Sequence, residues 1–319
     1  MTTAQTTTNP TRPTTWATAK RVGRAVATNQ IARFAPQLYV RLTGQTGRGA
    51  AAEEGAADVG RYFRDCVDDY LRKLGVPASG AADCLTGKTV MEYGPGDLPG
   101  VALLLMGLGA TKVYCVDRFP LVNLSAKNAQ VVRDLLASSE EPARSRMLRC
   151  LTDPADPQAG FDPACIEYRV QPDGLSGLRE EVDLVISRAV LEHVNDLPAT
   201  FADMAQAMRA GGRALHLVDL RSHGLHLSNP LDFLEWSPWL WNTMYSAKGV
   251  PNRWRVDRYR EIVRSLPVRI DEWTATREAP LEQVRQVRPR LDSRFAALSD
   301  EDLACLGFWL VFTRNGAVS

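Results

Sequence analysis

The stretch TVMEYGPGDLPGVALLLMGLGATKVYCVD, from Thr89 to Asp117, contains residues that could bind a nucleoside cofactor. Glu92 ends an apolar run, Gly94 and Gly96 form a turn before a helical segment, and Asp117 ends a second apolar run. Such strand–turn–helix units place cofactors at the carboxyl ends of parallel strands, and a carboxylate about 20 residues after the turn commonly binds ribose hydroxyls. The stretch therefore predicts a nucleoside-binding unit.

The turn fits a pyrophosphate poorly. A dinucleotide fingerprint requires glycine three positions after Gly96, and this chain has Pro99 there. Proline removes a backbone donor, although it suits the first turn of a helix. Glu92 would also repel a phosphate, whereas it suits a ligand that carries an ammonium group. S-adenosylmethionine has an ammonium, a ribose and an adenine but no phosphate.

Two further motifs follow in order along the chain. DLVISRAVLEHV begins at Asp183, and MRAGGRALHLV begins at Met208. Together with EYGPGD and YCVD, these motifs resemble those of class I S-adenosylmethionine-dependent methyltransferases. The resemblance extends from about Gly87 to the last predicted strand. It implies a Rossmann-like α/β fold with a seven-stranded, mostly parallel sheet whose last strand is antiparallel.

The resemblance also implies which residues contact the cofactor. Glu92 would hold the methionine ammonium, the Gly94 and Gly96 backbone would allow close approach, and Asp117 would bind the ribose. Arg118 and Phe119 would flank the nucleoside, Asp173 in QPDGLSGL would meet the adenine amino group, and Ser187–Arg188 would pass near the sulfonium. The predicted cofactor set is Glu92, Tyr93, Gly94, Gly96, Asp117, Arg118, Asp173, Ser187 and Arg188. Leu98 departs from the family, since many members have a third glycine there.

A hydroxyl or protonated nitrogen acceptor usually needs a base within hydrogen-bonding reach. The candidates are His193 after the fourth strand, with Asp219 and His223 after the fifth, and Arg221 is a candidate acceptor contact. The alternatives are that His193 orients a loop and that Asp219–His223 is a solvated polar loop with a capping aspartate.

Four of the seven tryptophans, Trp236, Trp239, Trp241 and Trp254, lie between predicted strands five and six. With nearby arginines they suggest an aromatic lid over the acceptor. The predicted acceptor contacts are Arg221, Trp236, Trp241, Tyr245 and Arg253. A self-packed helical insert and a dimer surface are the alternatives.

Short apolar runs alternating with helical stretches predict parallel pairing and an open α/β sheet. The seven predicted strands are Thr89–Tyr93, Lys112–Val116, Ile166–Val170, Val182–Ser187, Arg213–Val218, Val268–Thr274 and Phe308–Thr313. Residues 57–74 carry apolar side chains at helical spacing. We expect a disordered tail at 1–16, a helical cap at 17–86, and the cofactor domain at 87–319 with a lid at about 221–260.

Composition excludes several classes of protein. The formal charge of +1 argues against a nucleic-acid binder, and no apolar run approaches the ~20 residues of a membrane span. Six scattered cysteines without metal-ligand spacing indicate no metal site and free thiols in the cytoplasm. No acid precedes Glu53, which is typical of a transit peptide or a membrane-surface helix, although we favour a basic cap helix.

The leading hypothesis is an S-adenosylmethionine-dependent methyltransferase that acts on an O or N atom of a small molecule, in specialised metabolism. The alternatives are a nucleotide-dependent oxidoreductase and a non-catalytic cofactor-binding scaffold. A homodimer is also considered, because tryptophan, tyrosine and arginine favour interfaces.

Overall fold

The structure, a computed structural model, describes residues 15–43, 54–77 and 80–316. Its strands are β1 (Thr89–Tyr93), β2 (Lys112–Asp117), β3 (Ile166–Val170), β4 (Val182–Arg188), β5 (Met208–Asp219), β6 (Val268–Glu278) and β7 (Cys305–Arg314). They form one sheet in the order β3-β2-β1-β4-β5-β7-β6 with the last strand antiparallel. The seven predicted strands and the predicted fold class are confirmed, and β5 begins five residues earlier than expected.

The helices before β5 are α1 (Thr15–Phe34), α2 (Pro36–Thr43), α3 (Ala56–Leu74), α4 (Gly100–Gly107), α5 (Ala126–Ala137), α6 (Ala143–Leu148) and α7 (Leu197–Ala207). Those after β5 are α8 (Pro238–Tyr245), α9 (Val256–Arg264), α10 (Leu281–Val287), α11 (Ser293–Ala296) and α12 (Asp300–Ala304). No helix among the described residues is long and apolar enough to cross a membrane.

The chain forms two compact units. The helical unit comprises 15–43, Leu220–Arg258 and Ala275–Gly307, and the sheet unit comprises 54–77, 80–219, Tyr259–Thr274 and 308–316. The predicted cap at 17–86 is thus divided between them, since α1 and α2 belong to the helical unit and α3 to the sheet unit. Of the predicted tail, residues 1–14 lie outside the described ranges, and α1 already begins at Thr15.

The sheet unit is layered because alternate strand residues point to opposite faces. Val90, Val113 and Ile186 pack with α3, α4 and α5 in one core. On the other face Phe201 of α7 lies 6.1 Å from the His216 ring and 6.2 Å from the Phe312 ring. Both faces of the central strands are therefore covered, as a mostly parallel sheet requires.

Helix α3 shows how the sequence builds one of these layers. Its apolar positions recur every three or four residues, so Val59, Phe63, Val67 and Tyr70 all lie on the buried side. The helix ends at Gly75, which adopts a left-handed φ of 76° and donates its amide to Arg72 O.

Candidate cofactor site

Glu92 is a buried carboxylate near the carboxyl end of β1. Its side chain is only 7% exposed, and the Cys115 thiol on β2 lies 3.8 Å from its Oε2. Burial raises the pKa of Glu92 to about 8, and hydrogen bonds from Cys115 and the Ala102 backbone only partly oppose this shift. A cation placed beside this group would restore its ionised form.

Gly94, in the turn after β1, has no room for a side chain. Gly94 has a φ of 65°, and a Cβ there would lie 2.4 Å from Val190 Cγ2. Gly96 also has a positive φ, at 75°. Pro99 is the N-cap residue of α4, one position before the first turn in which the sequence analysis placed it, and Leu98, in place of the family's third glycine, is buried. The backbone of the first turn and the segment after β4 are therefore packed against each other.

Asp117 ends β2 on the same face of the sheet as Glu92. Glu92 is paired with Cys115, so Asp117 lies two residues further along the neighbouring strand. With ordinary strand geometry the two Cα atoms are roughly 8 Å apart. Burial raises the pKa of Asp117, and the Phe119 and Arg118 amides counter it; the Phe119 N–H donates to its Oδ1 at 3.0 Å. The two carboxylates thus flank one region of the carboxyl edge.

Arg118 and Asp173 lie beside Asp117. The Arg118 guanidinium is 4.7 Å from the centre of the Phe119 ring, and burial lowers its pKa. A Cβ on Gly174, the residue after Asp173, would be 3.6 Å from Arg118 Cβ. Asp173 itself is exposed, and its Oδ1 accepts the Leu175 amide at 3.0 Å. The segments after β2 and β3 are therefore adjacent, as a nucleoside site requires.

Tyr93 points to the opposite face from Glu92. Its hydroxyl donates to the carboxylate of Asp203 on α7, and that carboxylate also accepts the Ser176 and Gly177 amides at 2.7 and 3.0 Å. Asp203 is 8% exposed and was not among the predicted site residues. It fixes the segment that carries Asp173. The only sequence signal was an acid inside the apolar helix TFADMAQA.

Asn128 is a second residue that the sequence analysis missed. This amide is 4% exposed and donates to Asn123 O at 2.7 Å and to Asp97 O at 3.3 Å. The Asn123 amide also donates to Asp97 O, at 2.9 Å. The glycine turn is therefore tied to the segment after β2, which connects the Glu92 and Asp117 sides of the site.

The side chains of Ser187 and Arg188 point to opposite faces of the sheet at the end of β4. Ser187 is buried and its Oγ lies 2.8 Å from Nδ1 of His216, whose pKa burial lowers to about 3. Arg188 lies on the Glu92 face and donates to Asp69 of α3 at 2.7 Å. Burial acts to lower the pKa of Arg188, but nearby Cys66 and Asp69 outweigh it and raise the pKa. Asp69 also pairs with Arg72 at 2.6 Å, so one carboxylate is shared by two guanidinium groups.

The candidate bases are divided between the two units. In the sheet unit, His193 ends the short turn Leu191–His193, with its Nε2 3.8 Å from Oε1 of the buried Glu192, and Asp219 ends β5. In the helical unit, Arg221 and His223 are exposed, and His223 has a φ of 49°. Glu192 is a further acid that the sequence analysis did not single out.

The predicted acceptor aromatics form part of the helical unit's own core. Trp241 and Tyr245 are buried with ring centroids 4.5 Å apart, and Trp236 packs against the same core. Arg253 is 3% exposed, lies 4.5 Å from the Trp241 ring, and donates to Trp236 O at 2.6 Å. Burial lowers the pKa of Arg253 to about 9. This arrangement corresponds to the self-packed insert, and acceptor contact by these residues stays a prediction.

The polar groups at this edge of the sheet fit S-adenosylmethionine. Glu92 offers a buried carboxylate to an ammonium, Asp117 offers a half-buried carboxylate to ribose hydroxyls, and Gly94 has no room for a side chain. Glu92 does not suit a pyrophosphate, whereas a ribose-binding carboxylate such as Asp117 is compatible with both kinds of cofactor. The described residues that surround this edge thus favour a cofactor without phosphate.

Comparison with known proteins agrees with this geometry. Residues 61–265, more than half of the chain, match the family model described as a methyltransferase domain. The chain therefore belongs to this family, and it is a class I S-adenosylmethionine-dependent methyltransferase. No curated protein sequence matches it.

Several solved structures are similar in fold at low sequence identity. An S-adenosylmethionine-dependent methyltransferase from Mesorhizobium loti is 16% identical with a TM-score of 0.43, over 77% of this chain and 96% of that one. A putative S-adenosylmethionine-dependent methyltransferase from Listeria monocytogenes is 12% identical with a TM-score of 0.41, over 73% and 93%. Geranyl diphosphate C-methyltransferase from Streptomyces coelicolor is 14% identical with a TM-score of 0.38, over 73% and 72%.

Proposed function

We propose that this protein transfers a methyl group from S-adenosylmethionine to an O or N atom of a small-molecule acceptor in specialised metabolism. The observation that carries this proposal is the pair of carboxylates, buried Glu92 and half-buried Asp117, on one face of adjacent strands beside a turn in which Gly94 has no room for a side chain. The proposed location is the cytosol, where the unpaired state of all six cysteines would be maintained.

In this proposal the Glu92 carboxylate binds the methionine ammonium and Asp117 binds the ribose hydroxyls. Backbone groups of Tyr93, Gly94 and Gly96 line the methionine tail. A second group contacts the nucleoside and the sulfonium. It comprises Arg118, Phe119, Asp173, Ser187 and Arg188. The sulfonium supplies an activated methyl group, and the chain contributes binding, orientation and exclusion of water.

The acceptor would lose a proton to one of His223, His193 or Asp219. The position of Asp219 at the carboxyl end of β5, next to β4 of the cofactor site, supports its role as the base. Arg221, Trp236, Trp241, Tyr245 and Arg253 are the proposed acceptor contacts. For the three that are buried in the helical unit, Trp241, Tyr245 and Arg253, acceptor contact requires that the unit's core opens or rearranges. A homodimer stays a prediction that the mass in solution would test.

The test is a calorimetric titration of the purified protein with S-adenosylhomocysteine, run beside a titration with NADH. We expect saturable binding of the first ligand and none of the second. The Asp117→Ala variant, checked by circular dichroism for its fold, is the matched control and should lose most of the binding heat. Binding of NADH with no binding of S-adenosylhomocysteine would contradict the proposed cofactor.

A further inference from the structure

Helices α1 and α2 form one nearly continuous helix with two different sides. The Ala35 amide donates to Ile31 O at 2.8 Å and the Tyr39 amide to Ala35 O at 3.0 Å, so the helical hydrogen bonds continue past Pro36. Ala25, Asn29 and Ala32 form the buried side. Asn29 donates to Thr243 O at 3.0 Å and accepts the Ala247 amide at 2.9 Å. This side attaches the helix to the helical unit.

The other side exposes large apolar residues. Phe34, Leu38 and Leu42 are spaced four residues apart and are 78%, 47% and 66% exposed. They make up three of the seven large apolar side chains that the described residues expose. Leu38 and Leu42 lie on the same side of α2, because residues four apart share a side of a helix, and Phe34 is the last residue of α1. We call these three residues the apolar row.

Trp239 extends this apolar row across a polar groove. The indole is 75% exposed near the start of α8, in the same helical unit. A groove of about 310 Å³ separates α1 from α8 and is lined by Asn29, Gln30, Arg33, Trp239, Asn242, Thr243 and Ser246. None of these groove residues is acidic. The Arg33 guanidinium, at the rim, lies 5.6 Å from the centre of the Phe34 ring.

The charged residues of α1 and α2 are all basic. No aspartate or glutamate precedes Glu53 in the sequence. Lys20 and Arg24 are exposed on the same side of α1 as Phe34, whereas Arg33 is exposed beside the groove. The combination of exposed apolar side chains, an exposed indole and basic groups without acids is complementary to an anionic phospholipid surface. A nucleic acid would match the charges but not the apolar row.

We propose that this surface, formed by Lys20, Arg24, Arg33, Phe34, Leu38, Leu42 and Trp239, docks on an anionic phospholipid bilayer. The apolar side chains enter the boundary between headgroups and acyl chains, and Trp239 lies at headgroup level. Arg33 and the amides of the groove bind lipid phosphate. The protein would then be a peripheral enzyme that meets its acceptor at a membrane surface.

The experiment is co-sedimentation of the full chain with vesicles of phosphatidylcholine alone or mixed with phosphatidylglycerol. We expect binding to the anionic vesicles that weakens with added salt, and little binding to neutral ones. Replacing Phe34, Leu38 and Leu42 together by serine should reduce partitioning about tenfold or more, and Arg33→Gln should reduce it about fivefold at low salt.

Leu281→Ser is the matched control, because Leu281 is 46% exposed on α10 of the same unit, outside the proposed surface. It should sediment like the unmodified protein. Circular dichroism and S-adenosylhomocysteine binding of every variant separate misfolding and loss of the cofactor site from loss of docking. The proposal is overturned if the chain fails to sediment with anionic vesicles, or if the triple variant sediments as Leu281→Ser does. It is also overturned if the triple variant abolishes only self-association or RNA binding.

Discussion

The carboxylate of Asp203 on α7 accepts the Ser176 amide at 2.7 Å, and so fixes the chain that follows β3. The same carboxylate accepts the Gly177 amide at 3.0 Å and the hydroxyl of Tyr93 from β1. One buried acid thus satisfies three donors from two segments that border the proposed cofactor site. The three donors are neutral groups, a phenol hydroxyl and two backbone amides.

We expect Asp203→Asn to weaken binding of S-adenosylhomocysteine about tenfold, because an amide cannot accept all three hydrogen bonds and the Asp173 segment loses its anchor. The free energy of unfolding should also fall, on the order of 1–3 kcal/mol. Calorimetry and urea unfolding measure the two effects. Tyr93→Phe is the control, since it removes one donor and leaves both amide contacts. Equal affinities for Asp203→Asn and unmodified protein would show that the segment needs no anchor.

The fold and the Glu92–Asp117 pair were predictable because they depend on local patterns. Alternating apolar runs specify strands, and a glycine turn followed by a carboxylate has a short, fixed spacing. Asp203, Asn128 and Asp69 were not predictable, since each has a partner that lies far away in the sequence and that only folding brings close. Asp203, for example, is 27 residues from Ser176 and 110 from Tyr93.

The role of the aromatic residues in the helical unit was also not predictable from the sequence. Tryptophans beside arginines are equally typical of a lid and of a packed insert, because both environments favour aromatic area and planar cations. Burial distinguishes them: Trp241 is 5% exposed and Arg253 is 3% exposed, whereas Trp239 is 75% exposed. Composition alone does not encode that difference.

Glu92 predicts a pH-dependent affinity for the cofactor. Without ligand its pKa is about 8, so the carboxyl holds a proton at pH 7. A bound ammonium lowers the pKa, and binding therefore releases a proton below pH 8. The association constant should rise with pH, by up to about tenfold per unit, and level off above pH 8. Titrations in buffers of different ionisation enthalpy measure the proton released.

Glu92→Gln should bind more weakly and lose this pH dependence. It should also stabilise the unliganded protein. The folded pKa lies above the unfolded value of 4.5, so the folded state binds more protons between pH 4.5 and 8, and stability falls as pH rises through that window. Removing the group should therefore raise the free energy of unfolding at pH 8 on the order of 4 kcal/mol. If the stability of Glu92→Gln still depended on pH as in the unmodified protein, another group would be responsible for that dependence.

Asp117→Ala should weaken S-adenosylhomocysteine binding by about 1.5–3 kcal/mol, because it removes charge-assisted hydrogen bonds to the ribose. Asp173→Ala should cost less, since Asp173 is exposed and bound to its own segment through the Leu175 amide. Calorimetry of both variants ranks them. If a folded Asp117→Ala variant keeps full affinity, the ribose site lies elsewhere.

His223→Ala should slow methyl transfer and leave the affinity for S-adenosylhomocysteine unchanged, because the proposed base contacts the acceptor rather than the cofactor. The rate of S-adenosylhomocysteine formation with a turned-over acceptor measures the first effect, and calorimetry the second. His193→Ala and Asp219→Asn provide the comparison between candidate bases. The base is the residue whose variant is slow and whose pH–rate profile no longer shows the titration of a base. If His223→Ala keeps the full rate, His223 is not the base.

Gly94→Ala should prevent cofactor binding because its Cβ would contact Val190, and this effect can be separated from backbone strain. Alanine at a φ of 65° costs about 1 kcal/mol, and its Cβ would also lie 2.4 Å from Val190 Cγ2. Gly211 has a φ of 76°, and a Cβ there would have no atom within 4 Å, so Gly211→Ala measures the strain alone. We expect only Gly94→Ala to lose S-adenosylhomocysteine binding, and Val190→Ala in the same chain to restore part of it. Equal losses in the two glycine variants would mean that strain, rather than the contact between the glycine turn and the segment after β4, controls the site.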